Sequence, residues 1–324
     1  MTTKLSELTN LEKANQDYLS GLEFLQTSCI KCRCKPDYAE AIPHFKKAAD
    51  IYHGCGKFEK EIKSREKLVN CFKNEGSFWE EGKEYEKISK VQLNQLKAVD
   101  EAFNSILNAF HAYANNHNYD DGIKALTKVS YEFIDTWNKN TAIKILEFAF
   151  TGIDKYYHIL TLNQEESHIY IYECIDKYID LLFSEEDYEK SAEISKKSAK
   201  MIENDQNEEK QLICKYLGFQ AIAELLAKKE EKYQITIEKG MGLENSENEL
   251  CYKINRLVNV VRQKHKDNEN LIKKLLAEIS RKAPSFMAKM LNIKFIQENG
   301  SENENHSNAN EIKTDNLSEE EDLK

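Results

Sequence analysis

The sequence predicts an all-α protein, a tetratricopeptide-like right-handed helical-hairpin solenoid closed by a C-terminal helical bundle. Three observations carry the expectation. Only three prolines occur, Pro36, Pro43 and Pro284, so about 240 residues from His44 to Ala283 run without the residue that most reliably breaks a helix. Apolar residues recur at helical spacing, as in "YAEAIPHFKKAADIY", where Tyr38, Ile42, Phe45, Ala49 and Tyr52 fall at three- and four-residue steps. Finally, "PDYAEA", "GKFEKE" and "GSFWEE" repeat a turn followed by a helix start, placing Tyr38, Phe58 and Phe78 at steps of 20.

Taken in order, the first helix is expected around Leu11 to Leu25, followed by the loop "TSCIKCRCKP". The second helix should begin near Pro36 or Asp37, which puts Pro43 beyond the tolerated first turn and predicts a local bend. "HNYDDGIKAL" and "EDYEKSAEI" restate the turn at Tyr119 and Tyr188, so the units pair into hairpins of about 40 residues. One hairpin cannot bury its apolar face alone; stacked neighbours can, and they leave an extended surface for a partner. The turn pattern fades after Gly242, and "ELCYKINRLVNVVRQ" with "NLIKKLLAEISRKAPSFMAKMLNIKF" is apolar enough for a closing bundle. The expected division is residues 1–242 for the first helix plus repeats, 243–297 for the bundle and 298–324 for a polar acidic tail, disordered by composition.

Charge narrows the function. The net charge is −10, but residues 301–324 hold eight acids and two lysines, leaving the first 300 residues close to neutral. That balance argues against a nucleic-acid binder built on a broad basic face. No run of 18 apolar residues occurs and the N-terminal residues lack a signal-peptide pattern, so a cytosolic chain with eight reduced cysteines is expected. There is no phosphate loop, no His-Glu-x-x-His and no Gly-x-Ser-x-Gly. The glycine pairs Gly54/Gly56 and Gly240/Gly242 read as helix stops, and His111, His117, His158 and His168 as structural residues in helical segments. No enzyme activity, cofactor or metal is expected.

Two segments carry signals with competing readings. Cys29, Cys32 and Cys34 supply three thiols at close spacing, one short of a closed zinc site, with His44 or His53 as distant fourth candidates. A redox pair lacks the β-α-β context that such thiols need. The loop Cys29, Ile30, Lys31, Cys32, Arg33, Cys34 also suits a membrane surface, its basic residues contributing roughly 1 kcal/mol each near anionic headgroups and its thiols open to acylation. An inert solvated loop is the fourth reading. In "SEEEDLK", Glu319, Glu320, Glu321 and Asp322 flank Leu323 and make either a solvating run or a docking peptide for a basic cleft with a small apolar pocket. Ser318 with Glu321 also fits acid-directed phosphorylation.

The stretch "KPDYAEAIPHFKKAADIYHGCGKFEKEIKSREKLVNCFKNEGSFWEEGKEYEKI" resembles the soluble NSF attachment protein (SNAP) family, most of all its gamma branch, and the terminal "EEEDLK" resembles the acidic end of the alpha branch and, more loosely, of gamma. The resemblance implies an adaptor that binds assembled SNARE four-helix bundles and recruits and stimulates the hexameric ATPase NSF for their disassembly in vesicle trafficking. By the same resemblance, Glu319 to Leu323 would engage NSF, and the Cys29–Cys34 loop would touch the cytosolic face of a membrane. Lys57, with Lys90 and Lys97, is the expected contact to the SNARE bundle. Nucleic acid is not an expected partner. The alternative is a generic tetratricopeptide-like scaffold for another cytosolic complex.

Overall fold

The computed structural model describes residues 2–27, 34–135, 138–162, 165–204, 210–243, 250–263, 268–283, 285 and 287–292. Among them, thirteen helices of twelve residues or more follow one another: α1 (Thr2–Leu25), α2 (Tyr38–Gly54), α3 (Phe58–Glu75), α4 (Phe78–Val91), α5 (Val99–Asn115), α6 (Tyr119–Asp135), α7 (Lys139–Leu162), α8 (Glu165–Ser184), α9 (Tyr188–Glu203), α10 (Lys210–Leu226), α11 (Glu230–Leu243), α12 (Leu250–Arg262) and α13 (Glu269–Ser280). The described residues contain no strand. The expected all-α helical-hairpin fold is therefore the observed one. The chain divides into two compact units, residues 1–178 and 179–324, with the dividing line inside α8.

One turn design recurs at five turns among the described residues. A residue in the left-handed region ends the helix, and the next amide donates to a carbonyl five residues back, satisfying an acceptor the helix end would otherwise orphan. The left-handed residues are Gly56, Gly76, His117, Glu186 and Lys228, with φ of 64°, 70°, 58°, 58° and 59°. The amides of Lys57, Ser77, Asn118, Asp187 and Lys229 reach Tyr52, Phe72, Tyr113, Leu182 and Glu224 at 2.8, 2.9, 3.0, 3.0 and 2.8 Å. Glycine adopts this conformation freely, whereas the other three residues meet it at a cost of roughly 1–3 kcal/mol each. His117 thus lies in a turn and not within a helix, contrary to the sequence expectation.

From α2 to α7 the step of 20 residues holds with one slip. Helices α2, α3 and α4 start at Tyr38, Phe58 and Phe78, while α5, α6 and α7 start at Val99, Tyr119 and Lys139. The interval from Phe78 to Val99 is one residue too long. A π-helical turn at Gln92–Leu96 absorbs that residue, and the closing amide of Ala98 reaches Gln92, six residues back, at 2.9 Å. Lys97 takes the left-handed position there, with φ of 57°. The antiparallel alternation survives the insertion.

Local sequence explains the helix ends. Asp37 caps α2, its Oδ1 accepting the Glu40 amide at 3.1 Å, and Asp187 caps α9 from Lys190 in the same way. α1 extends further toward the N-terminus than expected, from Thr2. α2 runs as one helix through Pro43, the sixth residue of the helix.

Within unit 1, helices pack on their chain neighbours, and α4 also meets α6 while α5 meets α7. Even-numbered helices therefore share one face and odd-numbered helices the other. Large side chains fill the layer between them: Phe45, Tyr113 and Phe133 are fully buried, each contributing roughly 1.5–3 kcal/mol. Close approach needs small residues opposite these rings. A Cβ on Gly82 would lie 2.7 Å from the Tyr113 ring, whose hydroxyl donates to Glu86 and holds the ring in place.

A charged cluster ties α2, α3 and α4 together. The Arg65 guanidinium, 7% exposed, donates through Nε to Glu61 Oε1 at 2.9 Å and through Nη1 to Glu84 Oε2 at 2.9 Å. Glu61 also meets His53 Nδ1 at 2.8 Å, and Glu84 meets Lys87 Nζ at 2.5 Å. Burial opposes the guanidinium charge, but the two carboxylates outweigh it and hold the Arg65 pKa above its ordinary value.

In unit 2, α9 packs on α10, α10 on α11, and α12 on both α10 and α11, with α13 on α12. Tyr216, Phe219 and Tyr233 fill its core at 0% exposure. Asp180 of α8 accepts from Ser285 Oγ at 2.9 Å and from the Met287 amide at 3.4 Å, which fixes a segment 105 residues downstream.

Removing the arginine alone leaves two buried carboxylates short of a partner. Arg65→Met is expected to cost about 3–5 kcal/mol in urea unfolding. Replacing Glu61, Arg65 and Glu84 together by apolar residues of similar volume should recover most of that loss, because no buried charge is then uncompensated. A single Arg65→Met variant with an unchanged midpoint would show that the cluster is not a clamp.

Candidate functional site

The even-helix face of unit 1 gathers lysines and aromatic rings from α4, α6 and the first part of α8. Helical spacing puts Lys83, Lys87 and Lys90 in one row on α4, and Lys124 with Lys128 in another on α6. Lys177 on α8 completes the set. Lys87, Lys124 and Lys128 are exposed and the others half-buried.

Polar and aromatic contacts join these helices as rungs. Between α4 and α6, Trp79 Nε1 donates to Asp121 Oδ2 at 3.1 Å and Lys90 Nζ lies 3.4 Å from Glu132 Oε1, and from the π-helical turn Asn94 Nδ2 donates to Glu132 Oε2 at 3.3 Å. Between α6 and α8, Tyr131 Oη donates to Glu173 Oε1 at 2.9 Å. The Lys124 ammonium sits 4.2 Å from the Tyr170 ring centroid, and Lys177 sits 4.5 Å from that of Tyr131. Burial, then the bond to Glu173, pushes the Tyr131 hydroxyl pKa well up and keeps it a neutral donor.

A cation over a ring differs from a cation in an ion pair. The contact is worth about 0.5–1 kcal/mol at an exposed site and fixes the side chain while leaving the positive charge uncancelled. Lys83 shows both arrangements, lying 5.3 Å from the centroid of the 40%-exposed Trp79 ring and 2.9 Å from Glu86 Oε1. Lys128 has no carboxylate within ion-pair distance among the described residues. The face thus mixes lysines paired with carboxylates, Lys83, Lys87 and Lys90, with lysines held over rings, Lys124 and Lys177.

The expected contact lysines fall on two different features. Lys57 precedes α3 and Lys97 precedes α5, so both stand exposed at turns on the same end of the antiparallel hairpins. Lys90 lies on the even-helix face, where Glu132 already pairs with it. Lys83, Lys124, Lys128 and Lys177 are absent from the sequence-based expectation. Their three- and four-residue spacing was the available signal, and only the pairing of alternate helices shows that separate rows meet.

Of the cysteine loop, Cys29, Ile30, Lys31, Cys32 and Arg33 lie outside the described residues, and Cys34 is exposed. Glu319, Glu320, Glu321, Asp322 and Leu323 also lie outside them. Among the described residues no group of His, Cys, Asp and Glu is arranged to hold a metal ion, and no helix is long and apolar enough to cross a membrane. His111 is exposed and packs edge-on to Phe110 and Phe148.

No protein-family model matches the chain, and no curated protein sequence matches it. Among solved structures, BtubC (BKLC) from P. vanneervenii aligns over 73% of this chain and 90% of its own at 9% identity, with a TM-score of 0.33. That likeness is too low to bear on fold or function.

Thiol accessibility follows from burial. Desolvation pushes the pKa of Cys71 up to about 11 and that of Cys174 to about 12, and Cys214 and Cys251 are buried as well. In the native chain at pH 8, Cys34 should react with a maleimide within minutes, while these four react only after unfolding. Peptide mapping of the labelled protein checks this, and native labelling of Cys174 would contradict the packing of α8.

Proposed function

We propose that the chain is an adaptor of the SNAP type. In this reading it lays the even-helix face of its first unit along the acidic flank of an assembled SNARE four-helix bundle. The acidic sequence ending in Leu323 then recruits and stimulates the hexameric ATPase NSF. The observation that carries it is the repetition of lysine-and-ring rungs on three successive same-face helices, α4, α6 and α8. An elongated charged partner can engage such a row at several places at once.

Adaptor action of this kind is mechanical. Each surface charge contact contributes little, so affinity comes from several acting together, and a partner can shift register without losing them all. Rigid hairpins pass force from one end of a unit to the other, and no bond is made or broken on this chain. Association with the cytosolic face of membranes through the Cys29–Cys34 loop belongs to the same reading, with acylation strengthening a weak electrostatic contact.

Reconstitution with a soluble SNARE bundle and NSF tests the proposal. In low salt the three components should co-elute as one particle, and the interaction should weaken steeply toward 0.5 M salt. Lys124→Glu combined with Lys128→Glu is expected to lower bundle affinity at least tenfold, about 1.4 kcal/mol. Leu323→Ala should leave bundle binding intact and slow ATP-dependent disassembly. Failure of the ternary particle to form in low salt would remove the proposal and leave a scaffold for another complex.

A further inference from the structure

Residues 250–292, which contain α12 and α13, hold ten Lys and Arg against three Asp and Glu, a local charge of +7 within a nearly neutral body. The 32 residues that follow, 293–324, hold nine acids and three lysines, or −6. Two adjoining stretches of the same unit are therefore oppositely charged.

The positive charge is concentrated. Lys253 and Arg256 lie one turn apart on α12, and Lys274 and Arg281 lie on one side of α13. A single carboxylate, Glu278, sits among them, with Lys253 Nζ 3.1 Å from its Oε2. The hydrogen bond from Lys253, and then the charges of Lys253, Lys274 and Arg281, hold the Glu278 carboxyl below its usual range. Three cations thus act on this one anion, with Arg256 one turn along α12 from Lys253, and Arg256, Lys274 and Arg281 are exposed.

We infer that the acidic C-terminal segment of this chain docks on the α12–α13 surface formed by Lys253, Arg256, Lys274 and Arg281. Charge complementarity selects the segment, since Glu319, Glu320, Glu321 and Asp322 are four consecutive acids. Length permits it. The 27 residues from Asn292 to Glu319 span about 40 Å even if coiled as a helix, against about 18 Å for the whole of α13. Tethering raises the effective concentration of the segment to roughly the millimolar range, so contacts too weak to hold a free peptide hold this one. The docking does not depend on what the segment binds in trans. If it recruits an ATPase, as proposed above, docking withholds that sequence until a competing basic surface displaces it.

A fluorescein-labelled peptide of residues 311–324 provides the test, with full-length chains and neither SNARE bundle nor ATPase present. In 50 mM salt the wild type should bind it weakly, because its own segment occupies the site. A chain carrying Glu319→Gln, Glu320→Gln, Glu321→Gln and Asp322→Asn should bind it at least tenfold more tightly. Adding Lys274→Glu and Arg281→Glu to that chain, or raising salt to 0.5 M, should abolish the gain. Circular dichroism checks that these surface variants stay folded, and Lys274→Gln with Arg281→Gln gives a milder version. Equal affinity for wild type and the neutralised chain would overturn the inference, as would a gain insensitive to Lys274 and Arg281. Concentration-dependent dimerisation of the neutralised chain that blocks the peptide would also overturn it, by assigning the surface to a second copy. Because no trans partner is present, none of these results bears on the adaptor proposal.

Discussion

Everything in this structure depends on turning the chain back on itself at a fixed interval. At five turns the left-handed residue and the five-residue backward hydrogen bond terminate one helix and aim the next antiparallel to it. Once neighbours alternate, the even and odd faces follow, and side chains on α4 and α6 meet although about 40 residues separate them in sequence. The π-helical turn at Gln92–Leu96 makes the constraint visible. An extra residue that would have spoiled the alternation is absorbed inside a helix end, so the next turn closes on schedule.

Within that frame, apolar packing supplies most of the cohesion and buried charge supplies specificity of a narrower kind. His53 with Glu61, and Arg65 with Glu61 and Glu84, join three consecutive helices by directional bonds, whereas the Phe45 and Tyr113 contacts tolerate small shifts. Rungs on the even-helix face serve a third purpose, holding lysines in place without neutralising all of them. A side chain that stabilises the fold and stays available to a partner needs contacts of this intermediate strength.

The fold was legible because its punctuation is regular. Phe58, Phe78, Tyr119 and Tyr188 each start a helix two residues after a left-handed cap, and their spacing alone indicates hairpins. Val99 starts a helix two residues after left-handed Lys97 but carries no aromatic side chain, so that start was hidden, and Lys139, which also lacks one, was hidden likewise. The left-handed role of His117, Glu186 and Lys228 was hidden too, since nothing in those residue types asks for a positive φ. On the candidate face, Lys90 was readable and Lys124, Lys128 and Lys177 were not, because which rows adjoin is a property of packing. Averaging charge over 300 residues likewise concealed the basic stretch at 250–292. The expected sites at Cys29–Arg33 and Glu319–Leu323 lie outside the described residues.

The Asp180 contact to Ser285 and Met287 has a bearing on how the protein matures. Stacked hairpins are assembled from segments near one another in the chain, so they can form progressively as the polypeptide leaves the ribosome. Asp180 gains these two bonds only once a segment more than a hundred residues further along the chain has been made. Bonds of this span close only after the distal part of the second unit has been translated, later than the contacts between chain-neighbouring hairpins.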